Sequence, residues 1–453
     1  MNDREFEASA DYPFIASGRR PPEIERTEGC YLITPDGRRI LDAAGGAIVS
    51  GIGHGRREVA DAYADAAART SYVVPPFATP ARVALTDRLR RDWLPDGLTR
   101  IAFASGGSEG MDTAIRLARQ HHVSAGRPER WRVIGRELSY HGTTVSTLSV
   151  GGHTSRRDGF EPLLLDQQVE VPRAPAHYCL RCPLGKEFPA CDVACADELE
   201  SLIEGVGPES VAAFVVEPIV GSNAGALVPL GDYLPRIAEI CRRHGILLIA
   251  DEVMTGFGRT GRKFAVDHWG VTPDILVSGK GLASGYAPIA AIAATEAVAQ
   301  PIADAGDSLM FFTYGAHSAC CAAAVATLDI LARENLVERA AERGRFLDHA
   351  LDRLRSHPNV AQVRGRGLLW GIELVRDRET LEPFPADSGL VDKVVAAGLG
   401  EGVFFYPGGN EPARHVICLG PPFIVEDAEL DVMVDALARA IDSAVARVRA
   451  STL

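Results

Sequence analysis

Short apolar runs punctuate the first two thirds of the chain. They alternate with stretches in which apolar residues recur at helical spacing. Ile101–Ala104, Val133–Gly135, Ala212–Val216, Ile246–Ala250 and Ile275–Ser278 are brief and almost wholly apolar. Runs this short, closed by Gly, Ser or acidic residues, read as strands buried on both faces. Ser108–Val123 and Leu230–His244 carry the period of amphipathic helices. Such alternation predicts βαβ units and an α/β domain with a mostly parallel central sheet between two layers of helices. Ahead of it, apolar residues flank the turn Pro35-Asp36-Gly37, which predicts a small hairpin over Leu32–Ala47.

After Leu331 the pattern changes. Two long helical stretches, Leu336–Leu354 and Asp427–Val448, enclose strand-like pieces at Leu368–Leu374, Val403–Tyr406 and Val416–Leu419. This reads as a smaller α+β domain, and the N-terminal hairpin is expected to join it. The expected division is residues 1–60 as the first part of the small domain, 61–331 as the large domain and 332–453 as the rest of the small domain. A chain of 453 residues exceeds what one core usually organises, which agrees with two domains.

Charge narrows the partners. With 60 acidic and 47 basic residues the net charge is −13. A nucleic-acid binder would show a basic face, and no long Lys/Arg run occurs. No run approaches the roughly 18 apolar residues of a membrane helix. The first residues, Met1-Asn2-Asp3-Arg4-Glu5, lack the basic start and apolar run of a secretory signal. The expected compartment is the cytoplasm, where the nine cysteines would be mostly reduced.

In an open parallel sheet, ligands sit beyond the carboxyl ends of the strands. Three such ends carry chemistry. After Ile101–Ala104 comes Ser105-Gly106-Gly107-Ser108, opening a helix whose free N–H groups suit a phosphate. An ordinary turn with a capping Ser is the other reading. After Ile246–Ala250 comes Asp251, either a partner for a protonated nitrogen or a helix cap. After Ile275–Ser278 comes Gly279-Lys280-Gly281. A desolvated lysine there would lose its proton readily and act as a nucleophile; a surface lysine in a flexible loop is the alternative. Phosphate seat, acid and lysine on one sheet edge together match the phosphate, ring nitrogen and aldehyde of pyridoxal 5'-phosphate.

The block from Asp251 to Gly261 (Asp-Glu-Val-Met-Thr-Gly-Phe-Gly-Arg-Thr-Gly), followed by Pro273-Asp274-Ile275 and Ser278-Gly279-Lys280-Gly281, resembles the signature of class III (ω-type) aminotransferases of PLP fold type I. The resemblance extends from Gly29-Cys30-Tyr31 to Pro421-Pro422-Phe423. It implies that Lys280 forms a Schiff base with the cofactor and that Asp251 pairs with the pyridine nitrogen. It implies that Val253 and Tyr140 cover the two ring faces, Tyr140 within Tyr140-His141-Gly142. It places Gly107 and Ser108 at the phosphate and Glu217 near cofactor and substrate. It assigns Thr313 to the phosphate of a neighbouring subunit, hence a homodimer with shared sites, or a tetramer built from it. Arg414 lies roughly where amine–pyruvate members carry a mobile arginine for a substrate carboxylate; a surface salt bridge is the other reading. Arg259 belongs to the block and has a structural reading. Gly110 replaces a usual Ala, and Ser318 replaces a usual Pro.

The implied activity is ping-pong transfer of an amino group from an amine or ω-amino acid to pyruvate or 2-oxoglutarate. Aminomutase and decarboxylase chemistry share the cofactor, and an inactive binding protein of this fold is a further alternative. Separately, Cys179, Cys182, Cys191 and Cys195 lie as C-x2-C and C-x3-C. That spacing suits a structural zinc or iron–sulfur site, against free thiols or local disulfides.

Overall fold

The computed structural model describes residues 22–164 and 171–451. Seven strands form the central sheet, in the order Leu98–Ala104, Ala290–Thr295, Ile275–Ser278, Leu247–Asp251, Val211–Val216, Arg132–Arg136, Arg173–Ala174. The last five run parallel, and Ala290–Thr295 is antiparallel to both its neighbours. The expected sheet is therefore present, with one antiparallel strand that was not expected. Ala290–Thr295 holds four alanines. Alanine favours helix intrinsically, so burial between two strands, rather than propensity, makes it extended.

Period-two alternation sends side chains to both faces of the sheet. Phe214, Val216, Leu248 and Leu276 enter the same core as Leu234 and Ile237 of the helix Tyr233–His244. Val215, Ile249, Ile275 and Val277 meet Met111, Ala114 and Ala118 of the helix Gly107–Ser124. Each such aliphatic side chain, fully buried, contributes about 1.5–3 kcal/mol. Val211–Val216 and Ile275–Ser278 are buried at every residue, which is why they read as continuous apolar runs.

Arg26–Glu28, Tyr31–Ile33 and Arg39–Asp42 form a meander, and Arg39–Asp42 pairs in parallel with Val403–Phe404. The hairpin ends at Asp42 rather than Ala47. Gly45, at φ +56°, turns the chain there, and a Cβ on it would sit 2.5 Å from the Gly420 carbonyl oxygen. The run Val403–Tyr406 divides. Val403–Phe404 stays with the meander, Phe405 is buried, and Tyr406–Asn410 enters a second sheet. That sheet is antiparallel, ordered Val360–Arg366, Leu369–Leu374, Ala413–Leu419, Tyr406–Asn410. The expected helix Leu336–Leu354 breaks into Leu336–Ala350 and Asp352–Arg355. No helix among the described residues is long and apolar enough to cross a membrane.

A buried polar cluster ties this second sheet to the loops near the central one. Glu373 accepts from Arg364 Nη1 at 2.6 Å and from the Tyr178 hydroxyl at 2.5 Å, and it pairs with Arg181. Arg364 Nε donates to the Gly225 carbonyl at 2.9 Å. Both Glu373 and Arg364 are buried. Removing one member leaves a buried charge uncompensated. Glu373→Gln should therefore destabilise the fold by about 3 kcal/mol, read as a lower urea midpoint; an unchanged midpoint would show that the cluster adds nothing.

Candidate active site

The carboxyl ends of Leu247–Asp251 and Ile275–Ser278 and the turn after Leu98–Ala104 meet at one cavity of about 180 Å³. Gly107, Ser108, Tyr140 and His141 line one part of its wall, and Glu217, Asp251, Val253 and Lys280 another. The three strand ends singled out in the sequence thus converge. Parallel register explains the closest approach: Asp251 pairs with Val277, three residues before Lys280.

Lys280 sits at φ +35°. That left-handed conformation is disfavoured for a residue with a side chain and persists only where the surroundings impose it. Its amine is lowered to about 8. Burial is the main cause; Asp251 and Glu217 pull the other way, and Arg259 adds to the lowering. About a tenth of the amine is thus neutral at pH 7 and about half at pH 8.

Asp251 is oriented on both oxygens. Its Oδ2 lies 2.8 Å from His141 Nδ1, and its Oδ1 accepts the Val253 N–H at 3.1 Å. Glu217 accepts the Tyr140 N–H at 3.1 Å and the Gly221 N–H at 2.9 Å, and burial raises its pKa. This carboxylate therefore fixes the backbone that carries Tyr140. Ser108 Oγ accepts the Thr143 N–H at 3.2 Å, joining the helix start to the Tyr140 loop. A Cβ on Gly107 would lie 2.7 Å from Val253 Cγ1. The wall is bare backbone at that point, as a phosphate seat at a helix N-terminus requires.

Other wall residues were not singled out in the sequence: Ile219, Ser222, Met254 and Thr255. Each lies within five residues of Glu217 or Asp251, so the segments following those acids were the available signal. Arg136 was also missed. It is buried, and its Nη2 donates to the Glu217 carbonyl at 3.0 Å. Arg259 proves structural in its contacts: it donates to the carbonyls of Leu368 at 3.0 Å and Pro421 at 2.7 Å.

Two expected residues stand elsewhere. Thr313 lies exposed in a turn and does not line the cavity of its own chain. Arg414 forms an ion pair with Glu411 and does not border the cavity. The metal expectation finds no support among the described residues. Cys179, Cys182, Cys191 and Cys195 are free thiols. Burial, then the neighbouring cysteines, raises Cys179, and the same causes push Cys195 to about 11. Among the described residues no three His, Cys, Asp or Glu side chains are placed to hold a metal ion.

Residues 15–441 match the family Aminotransferase class-III. This chain is a class III aminotransferase. It is 38% identical to an uncharacterized aminotransferase of Schizosaccharomyces pombe, over 96% of each chain. It is 34% identical to adenosylmethionine-8-amino-7-oxononanoate aminotransferase of Geobacter sulfurreducens, over 93% of this chain and 92% of that one. The omega transaminase of Pseudomonas jessenii in complex with PMP superposes with a TM-score of 0.88, at 31% identity and over 94% of each chain. The aminotransferase therefore has PLP fold type I and is a PLP-dependent transaminase.

The lowered amine of this aminotransferase has a measurable consequence. Only the neutral amine attacks an aldehyde. The rate at which apoenzyme captures pyridoxal phosphate should rise about tenfold per pH unit below 8 and level off above it. Stopped-flow absorbance checks this; a flat profile from pH 6 to 9 would contradict the lowered amine.

Proposed function

We propose that this aminotransferase moves an amino group from a primary amine or ω-amino acid to a small keto acid, pyruvate or 2-oxoglutarate, with Lys280 and Asp251 as its catalytic residues. The observation that carries the reading is the desolvated Lys280 amine beside an acid held on both oxygens. The residues present fit the cofactor. Lys280 would hold its aldehyde carbon, Asp251 its ring nitrogen, Val253 and Tyr140 the two ring faces, and Gly107 and Ser108 its phosphate. Bound there, pyridoxal phosphate supplies an electrophilic carbon and a ring that accepts the electrons released at the substrate carbon.

The chain's own residues do the rest. Lys280 Nζ, once released by the incoming amine, would take a proton from the substrate carbon and deliver it to the cofactor's aldehyde carbon, on the far side of the shared nitrogen. Its lowered pKa lets it do both near neutral pH. Asp251, aligned by His141, keeps a negative charge where the ring nitrogen carries a proton. Glu217 holds the loop that presents Tyr140. Donor and acceptor use the one cavity in turn, which gives ping-pong kinetics.

The same reading assigns cofactor binding to residues 61–331 and groups 1–60 with 332–453. The parallel pairing of Arg39–Asp42 with Val403–Phe404 supports that grouping. It places the protein in the cytoplasm, in keeping with nine free thiols. It makes the enzyme a homodimer in which Thr313 serves the partner's phosphate. Thr313 is exposed among the exposed apolar side chains Met310, Phe311 and Tyr314, the composition of a surface that packs against another chain.

Two substitutions test the chemistry. Lys280→Ala should lose all turnover with an unchanged circular dichroism spectrum, and borohydride reduction of the wild type should leave the cofactor on the Lys280 peptide. A label on another peptide would refute the assignment. Asp251→Asn should slow the first half-reaction by about two orders of magnitude or more, the size lost when one charged stabiliser is removed. A normal rate would remove Asp251 from the mechanism. A donor panel against pyruvate and 2-oxoglutarate, with analysis of both products, separates transamination from decarboxylation or intramolecular migration.

A further inference from the structure

The arginine first expected to meet a substrate carboxylate, Arg414, is engaged by Glu411 away from the cavity. A second cation, also outside the lining itself, stands against the wall residue Tyr140. Arg156 lies on the short helix Thr154–Arg157, and its guanidinium carbon is 5.3 Å from the centre of the Tyr140 ring. Tyr140 lines the cavity. The same ring meets His153 edge-on, with centroids 6.0 Å apart. The Arg156 charge also reaches Tyr406: burial raises that hydroxyl, and Arg156 opposes the rise. Tyr406 opens the strand Tyr406–Asn410, which touches the cavity rim where the Gly409 N–H donates to the Ser222 carbonyl at 2.9 Å.

The residues around Arg156 are committed to holding its helix. Thr154 Oγ1 donates to Asn410 Oδ1 at 2.7 Å. Arg157 Nη1 donates to the carbonyls of Leu148 at 2.8 Å and Ser149 at 3.0 Å. Arg156 itself is exposed, and its side chain makes no ion pair or hydrogen bond among the described residues. A guanidinium lying over an aromatic ring keeps its in-plane N–H donors free for a planar anion. With a net charge of −13, the protein as a whole does not attract carboxylates. A local cation must do so.

We propose that Arg156, poised over Tyr140, binds the carboxylate of the acid substrate and thereby sets the preference for keto acids over neutral carbonyl acceptors. This rests on the aminotransferase reading and specifies how its acceptor is recognised. Two parallel N–H···O bonds to the carboxylate orient the keto carbon toward the Lys280 side of the cavity.

The test compares wild type, Arg156→Met and Arg156→Lys, all loaded with cofactor. Acceptors are pyruvate and butanal, an uncharged carbonyl of similar size, with one amine donor. In Arg156→Met the kcat/KM ratio of pyruvate over butanal should fall about ten- to a hundredfold, the range of a charge-assisted hydrogen bond. The change should sit in KM for pyruvate, and Arg156→Lys should recover part of it. A ratio within about twofold of wild type, or equal losses on both acceptors, overturns the proposal. Calorimetry gives a reading without turnover: the loaded wild type should bind propanoate more tightly than propanamide, and Arg156→Met should not discriminate. Retained discrimination in the variant also overturns it. If the wild type transaminates neither acceptor, the pyruvate part of the proposed function fails, and the calorimetric arm still decides the role of Arg156.

Discussion

A lysine amine withdrawn from water is the constraint around which this molecule is arranged. Ammonium groups resist burial, so the site must keep Lys280 both dry and useful. The strand Ile275–Ser278 is buried at every residue and delivers Lys280 to the sheet edge. The neighbouring parallel strand delivers Asp251 in register with Val277. Burial lowers the amine and the two carboxylates partly restore it, so the balance falls at about 8 rather than far lower. A surface lysine would stay protonated at neutral pH, and one buried without acids nearby would bind a proton too weakly to return it. The left-handed backbone at Lys280 is part of the same compromise, since it lets the chain turn without leaving the sheet edge.

Much of this was legible in the sequence, for one physical reason. A parallel sheet sends all its carboxyl ends to one edge, so residues just after short apolar runs become neighbours. That rule alone reached Ser108, Asp251 and Lys280. Glu217 directly follows the run Val211–Val216 and was open to the same rule, although only the family resemblance singled it out. Tyr140 and His141 lie four and five residues past Arg136, inside a loop, where no periodicity points inward. Arg136 directly follows the run Val133–Gly135 and was not singled out. Its burial against the Glu217 backbone follows from sheet order, which the sequence does not state.

The misreadings have equally local causes. Ala290–Thr295 lacks the branched residues that mark strands. Val403–Tyr406 is one apolar run, yet buried Phe405 divides it between two sheets. Arg414, which the resemblance implies to be a mobile arginine, rests here against Glu411. Only two residues, Glu411 and Pro412, separate Tyr406–Asn410 from Ala413–Leu419, and Glu411 pairs with the guanidinium. The cysteine spacing suited a metal and the four thiols do lie near one another, but among the described residues no three are placed to hold an ion.

The cofactor site and the acid-recognition site rest on different kinds of structure. Lys280, Asp251 and Glu217 end strands of the central sheet. Behind them, Arg259 binds the Leu368 and Pro421 carbonyls, and Glu252, raised by burial to about 7, accepts the Val266 N–H. Moving any of these disturbs the core. Arg156 instead sits on a four-residue helix that is held to Tyr406–Asn410 through Asn410. Relatives named for an oxononanoate substrate and for ω-transamination match this chain over more than nine tenths of its length. The chemistry is fixed where the fold is least able to change, and acceptor choice lies where a few residues can change without disturbing it.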